Sequence, residues 1–387
     1  MTSEHSAGGS GRPLLVYGDG PWGPSVDPAT VARLCGLGDD VDVLLGWAIE
    51  ELPWMESMPP GRVTTMNAGY RLAKAVAAGV AAVRSTRIST VPAMLAGEWR
   101  PDVAVVSGRP SGTGFVFGPC VGWQHTAARL ARRGVVVDVR AGMPAYDAPS
   151  IPGEILGVVE SPAPPSAPVG RPPSDAEAAI GATVASLIPP GATLEFGLGT
   201  ICDAASAVLD VGVRLRSGLV TDTLVDLERR GLLLDVAEAA YAWGGDDLAA
   251  LSAGGRLRLV PCDLTHDIDR LAAFDQFTAV NSALEVGLDG SVNVEVAGGR
   301  PVSGIGGHAD FCRAAARSAG GLSIIALTAT RRGRSTIVPT VEKVSTPGTD
   351  VHLVVTEHGI ADLRDADAGE RRRRLIAVAD PEFRPGL

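Results

Sequence analysis

Residues 174–200 read SDAEAAIGATVASLIPPGATLEFGLGT, and the fold class follows from this stretch. Ser174 is a good helix N-cap, and Glu177 stands three positions on, the arrangement in which cap and third residue satisfy each other's backbone donors. Ala178, Ile180, Ala182, Val184, Ala185 and Ile188 then repeat with helical spacing. Pro189 and Pro190 stop that helix, because proline has no N–H to donate and its ring clashes with the preceding turn. A strand follows near Thr193–Leu198, and the glycines at 197 and 199 turn it into a further helix from about Ile201. Helix, strand, glycine turn and helix in succession are the repeating unit of an α/β fold.

Upstream, SPAPPSAPVGRPP (Ser161–Pro173) crowds prolines where apolar periodicity vanishes, which predicts an extended connector between two packed units. The expected organisation is a mobile tail over 1–13, an N-terminal domain over 14–160, this linker over 161–173 and a C-terminal domain over 174–387. In the first half, Leu14–Tyr17, Val41–Leu45, Val103–Val106 and Val135–Val139 read as buried strands. Tyr70–Val83 and Gln124–Arg133 read as helices. The alternation resumes after the linker, with strands near Ser323–Leu327 and Val351–Val355. Two open α/β domains with mainly parallel sheets are therefore expected.

The chain has 387 residues, 45% hydrophobic and 20% charged, enough to bury a full core. A net charge of −10 argues against a grip on a phosphate backbone, so no nucleic-acid partner is expected. Lysine occurs only at Lys74 and Lys343; a Lys-dependent phosphate loop is absent, and a Schiff-base lysine would have two candidates. Five scattered cysteines form no C-x-x-C pair, and the six histidines are dispersed, so neither disulfides nor a metal site is expected. The polar start lacks an apolar h-region, and the longest charge-free run is broken at Pro189-Pro190-Gly191. A cytoplasmic protein without a membrane partner is the expectation.

Three stretches carry candidate chemistry. The first is Leu194–Thr200, whose Gly197-Leu198-Gly199 turn lets backbone N–H groups approach a ligand at a helix N-terminus. A plain tight turn is the first reading of these residues; a dinucleotide fingerprint lacks its third glycine, since Cys202 stands there, and its acidic residue, since the next strand, Val211 to Arg216, ends in Arg216-Ser217. The second is Gly298–Phe311, glycine-rich and followed by a helical pattern over Cys312–Ala319, which suits an anion nest or a ligand-free loop. The third is Val355–Leu363, where Glu357 and His358 would point to opposite faces of a strand and so make a poor acid–base pair.

Asn281-Ser282-Ala283-Leu284-Glu285-Val286, Gly304–Phe311, Val355–Leu363 and Asp380-Pro381-Glu382-Phe383-Arg384 occur in that order. Together with Ala192–Thr200, Val225–Leu227, Trp243–Leu248 and Pro261–Asp263 they resemble the acetyl-CoA hydrolase/transferase family, strongly from about Asp175 to Leu387. The resemblance implies two CoA-transferase-type domains with acyl-CoA bound between them, as substrate rather than resident cofactor, and an incoming carboxylate or water. It implies attack on the thioester by a glutamate, with backbone N–H groups at Gly197 and Gly199 serving the oxyanion. Gly304, Gly306 and Gly307 would approach the CoA, and Asn281 would lie near the active cleft. A homodimer would be ordinary for such a chain.

Two positions depart from the family pattern. With Asp222 and Val225–Leu227 as anchors, the nucleophilic glutamate falls on Gly218, and no carboxylate occurs between Val211 and Val220. Glu195 stands where relatives often carry glutamine. A carboxylate there points away from the acyl group, pairs with an arginine, or lies near the acyl group as a general base for water, which would favour hydrolysis. A silent acyl-CoA-binding homologue and a member repurposed for other acyl chemistry are the alternatives.

Overall fold

A computed structural model describes residues 11–165 and 170–387, so most of the expected N-terminal tail and the centre of the proline-rich linker lie outside the described residues. Two compact units divide the chain. The first takes the N-terminal half and also Ala240–Leu264 and Pro301–Gly306; the second takes the rest of the C-terminal half. The 174–387 stretch, expected as one continuous domain, thus contributes two segments to the first unit.

The first unit is built on a parallel sheet in the order Ala81–Val83, Val63–Thr65, Asp42–Leu45, Leu14–Tyr17, Val103–Ser111, Gly134–Arg140 and Ile155–Ser161. Its central strands are continuous apolar runs because helices and loops cover both faces; Leu15, Val16, Val103, Val105, Val136 and Val137 are fully buried. Tyr70–Val83 is not one helix. A short helix over Ala73–Ala77 ends before Gly79, whose φ of 72° reverses the chain, and Ala81–Val83 joins the sheet beside Val63–Thr65.

In the second unit the parallel order is Arg214–Val220, Thr193–Phe196, Phe277–Asn281, Leu322–Ala326 and Leu353–Thr356, with Gly359–Asp362 antiparallel at the edge. The expected N-terminal cap is present: Glu177 N–H donates to Ser174 Oγ at 3.3 Å and Ser174 N–H to Glu177 Oε2 at 2.8 Å, opening the Asp175–Leu187 helix. That helix crosses the Thr200–Val208 helix at Gly181. Two boundaries differ from the sequence reading. The strand expected to end at Arg216 runs to Val220, so Gly218 lies within it; the helix expected from Cys312 begins at His308. Among the described residues no helix is long and apolar enough to cross a membrane.

A side chain at residue 181 would put its Cβ 2.7 Å from Ala204 Cβ and 2.8 Å from the Ala205 nitrogen. Alanine is worth ~1 kcal/mol over glycine inside a helix, whereas forcing packed helices apart costs roughly 1–3 kcal/mol. Gly181→Ala is therefore expected to lower stability and Gly181→Val to lower it further, read as the urea midpoint of unfolding.

Candidate functional site

The Thr193–Phe196 and Phe277–Asn281 strands run side by side in parallel, with Phe196 opposite Val280. Their carboxyl ends open at the expected glycine turn, the place where parallel α/β sheets hold ligands. Gly197 N–H is given to the Val280 carbonyl at 2.8 Å, and a Cβ there would meet Asn281 Oδ1 at 2.8 Å. Gly199 has φ 141° and caps the Thr200–Val208 helix without a side-chain hydrogen bond. Of the two glycines read as oxyanion donors, Gly197 thus spends its N–H on the sheet. The donors the turn still offers lie at the helix start, whose first N–H groups have no intrahelical partner.

A cavity of about 320 Å³ opens beside this turn. Leu198, Gly199 and Thr200 line one side, Ser282 and Ala283 another, and Thr328 and Arg331 a third. Arg171 reaches its rim paired to Glu177, Nη1 donating to Oε2 at 2.7 Å and Nη2 to Oε1 at 2.5 Å. Hydroxyls, an arginine and a helix N-terminus around one space suit a ligand carrying a carbonyl or carboxylate oxygen.

Glu195 is only 2% exposed within the sheet, and Asn281 Nδ2 donates to its Oε2 at 2.7 Å. Burial raises its pKa to about 8, against the Asn281 hydrogen bond, which pulls the other way. Its carboxyl is neutral at pH 7, so a base at this position would act only at higher pH. The same hydrogen bond fixes the Asn281 amide with Oδ1 toward Gly197, joining Glu195, Asn281 and the glycine turn in one cluster.

A second cluster joins Gly218 and Gly307 through a residue the sequence did not single out. A Cβ on Gly218 would lie 3.2 Å from His266 Nε2, and one on Gly307 2.5 Å from the same atom. The ring stacks at a tilt on Phe311, centroids 4.8 Å apart, and its Nδ1 is 2.8 Å from Thr265 Oγ1. Burial pushes its pKa down to about 3, so the imidazole is neutral. Residues 218, 266 and 307 are far apart in sequence and form no motif, so only the fold reveals this contact.

Gly304 and Gly306 belong to the first unit. A Cβ on Gly304 would lie 2.4 Å from the Met66 carbonyl, and Ile88 N–H donates to the Gly306 carbonyl at 3.1 Å. Close backbone approach accounts for glycine at 304. In the third stretch, Glu357 Oε2 accepts from Ala329 N–H at 2.8 Å and His358 Nε2 lies 3.8 Å from Asp380 Oδ2, ties that fasten a hairpin turn.

The C-terminal domain of the acetyl-CoA hydrolase/transferase family matches residues 249–387. Succinyl-CoA:cyclohexane-1-carboxylate CoA transferase of Geobacter metallireducens is 30% identical over 359 residues, 86% of this chain and 80% of that protein. Butyryl-CoA:acetate CoA-transferase of Anaerostipes caccae is 29% identical over 303 residues, 70% of this chain and 67% of the relative. Among solved structures, RipA from Yersinia pestis superposes with a TM-score of 0.83 at 26% identity, covering 99% of this chain and 94% of that one.

Glu195 gives the cluster a signature in solution. Its native pKa lies near 8 and its unfolded value near 4.5, so between these the folded state keeps a proton that the unfolded chain has lost, and stability falls as pH rises. Burial raises Asp19 to about 6 and lowers His266 to about 3 and His308 to about 4, so in the folded state these groups titrate mainly below pH 7, and they are common to the wild type and the variant. From pH 7 to 8 the free energy of unfolding is expected to fall by on the order of 1 kcal/mol more in the wild type than in Glu195→Gln, measured by urea unfolding at each pH.

Proposed function

The chain belongs to the acetyl-CoA hydrolase/transferase family, and from that premise we propose that it acts on acyl-CoA thioesters of short carboxylic acids. It either passes CoA to an acceptor carboxylate or releases it to water. The observation that carries this reading is the cavity at the carboxyl ends of the parallel strands. Thr200, Ser282, Thr328, Arg331 and the start of the Thr200–Val208 helix line a space of about 320 Å³. A carbonyl or carboxylate oxygen finds donors and positive potential there, and no charged group has to be buried unpaired to receive it. Acyl-CoA enters as a substrate, and its remote nucleotide portion supplies binding energy that can be used at the thioester.

Gly218 shapes the chemistry. A glutamyl anhydride needs a carboxylate on this strand, and the strand has none from Arg214 to Val220. Hydrolysis through this site then proceeds by direct attack of water on the thioester carbonyl, which releases the acid and CoA thiol. Transfer proceeds by attack of the acceptor carboxylate, which expels CoA thiolate and leaves a mixed anhydride; the thiolate then attacks the acceptor's carbonyl and the donor carboxylate leaves. The same glycine favours a second reading, an acyl-CoA-binding homologue without turnover.

Incubation with acetyl-, butyryl- and succinyl-CoA, with and without short carboxylic acids, separates the two by mass spectrometry. New acyl-CoA species, or free CoA above a no-protein control, are the expected outcome. A CoA-dependent rise in melting temperature with no such products would establish the silent reading, because a ligand that binds only the folded state stabilises it by mass action. Neither products nor a shift would overturn both.

A further inference from the structure

We propose that Arg331 makes the cavity of the second unit selective for acids with a second, free carboxylate, so that the thioester it handles is that of a dicarboxylic acid. The inference rests on the acyl-CoA reading and names its substrate class.

The charges lining the cavity single out Arg331. Three charged residues line the space of about 320 Å³: Arg171, Glu177 and Arg331. Arg171 and Glu177 are bonded to each other at 2.7 and 2.5 Å, so their charges cancel. The Arg331 side chain makes neither an ion pair nor a hydrogen bond among the described residues, and the lining keeps one uncompensated positive charge. The threonine donors of the same wall are spent. Thr336 Oγ1 donates to the Thr328 carbonyl at 2.7 Å, and Thr328 Oγ1 to the Thr330 carbonyl at 2.8 Å. A guanidinium offers five N–H donors in a planar fork that takes a carboxylate through two parallel bonds.

The hairpin that carries Arg331 holds it ready. Thr330–Arg331 pairs antiparallel with Arg334–Ser335 through a two-residue turn, in which Arg332 and Gly333 both have positive φ, 52° and 73°. Arg331 and Arg334 stand directly opposite each other, so their side chains share a face and their like charges repel. Arg334 acts on Glu342, a carboxylate that the Gly298 and Gly299 N–H groups hold at 2.9 and 2.8 Å. A carboxylate bound to Arg331 gives it the counter-charge that the hairpin does not supply.

Leu198, Ile201, Ala283 and Leu327 give the cavity an apolar lining, and the start of the Thr200–Val208 helix brings backbone donors. A ligand that matches all three features has an oxygen head at the helix start, a short carbon chain and an anionic end at Arg331. The thioester of a monocarboxylic acid supplies the first two and leaves the arginine facing a methyl group. At about 320 Å³ the cavity lies at the small end of ligand sites, which suits a small acid. The second carboxylate takes no part in the bond exchange; it binds and orients.

The test compares succinyl-CoA with butyryl-CoA, whose four-carbon acyl groups differ only in carboxylate against methyl at the far end. Glutaryl-CoA against valeryl-CoA supplies a second matched pair, one carbon longer. In at least one pair the wild type is expected to favour the dicarboxylic thioester by about tenfold or more in kcat/KM. Arg331→Met, which keeps an apolar stem without the charge, brings that ratio to within a few-fold of one. Arg331→Lys keeps part of the preference. The ratio is the readout, because damage to the fold lowers both members of a pair together. For a protein that binds without turnover, the same ratio is read from the two dissociation constants.

A wild type that handles the monocarboxylic member of both pairs as well as the dicarboxylic one overturns the proposal and leaves the acyl-CoA reading standing. So does an Arg331→Met protein that keeps the wild-type preference. A wild type that neither binds nor turns over any of the four thioesters overturns both.

Discussion

Everything at the carboxyl end of the second sheet depends on the register of one strand. Phe277–Asn281 is hydrogen-bonded on both sides, to Thr193–Phe196 and to Leu322–Ala326. That pairing puts the Val280 carbonyl in reach of Gly197 N–H, Asn281 Nδ2 in reach of Glu195, and Ser282 and Ala283 on the cavity wall. Side chains alternate along a strand, so a slip of one residue would turn Asn281 away from Glu195 and bring Val280 toward it. The full burial of Phe277, Ala279 and Val280 makes such a slip expensive.

The glycines of the site fall into two kinds. Gly199 and Gly306 adopt positive φ, and a Cβ on either would meet nothing within 4 Å, so the backbone conformation asks for glycine there. At Gly197, Gly218 and Gly307 the φ angle is ordinary and the demand is for space, each leaving room for a named atom: Asn281 Oδ1 in the first case, His266 Nε2 in the others. Sequence inspection treats both kinds as one glycine-rich signal, although the first shapes the chain and the second reserves volume for a neighbour.

That distinction marks how far the sequence could be read. The alternating elements, the Ser174–Glu177 cap and the strand-to-glycine turn at Phe196–Gly199 were legible because each rests on local geometry, as was the parallel α/β class. The strand over Val211 to Arg216 reads as ending at Arg216-Ser217; in the fold it continues to Val220, and Gly218 leaves room for the approach of His266. Glu195 was legible as an unusual carboxylate, but its neutrality depends on burial, which sequence does not carry. His266 left no signal, since its partners lie tens of residues away and only packing assembles them.

The division into units has a consequence for how the protein is made. Among the described residues the chain passes between them at 239/240, 264/265, 300/301 and 306/307. A ribosome delivers residues in order, so the first unit cannot assemble completely when its own half emerges; it waits for Pro301–Gly306, by which time most of the second unit has been synthesised. Cutting at the proline-rich linker would therefore not release two autonomous halves. The N-terminal piece would lack two of its own segments, and the C-terminal piece would carry both as orphans. The proline stretch marks a seam in the sequence, while the folding boundary is woven through the C-terminal half.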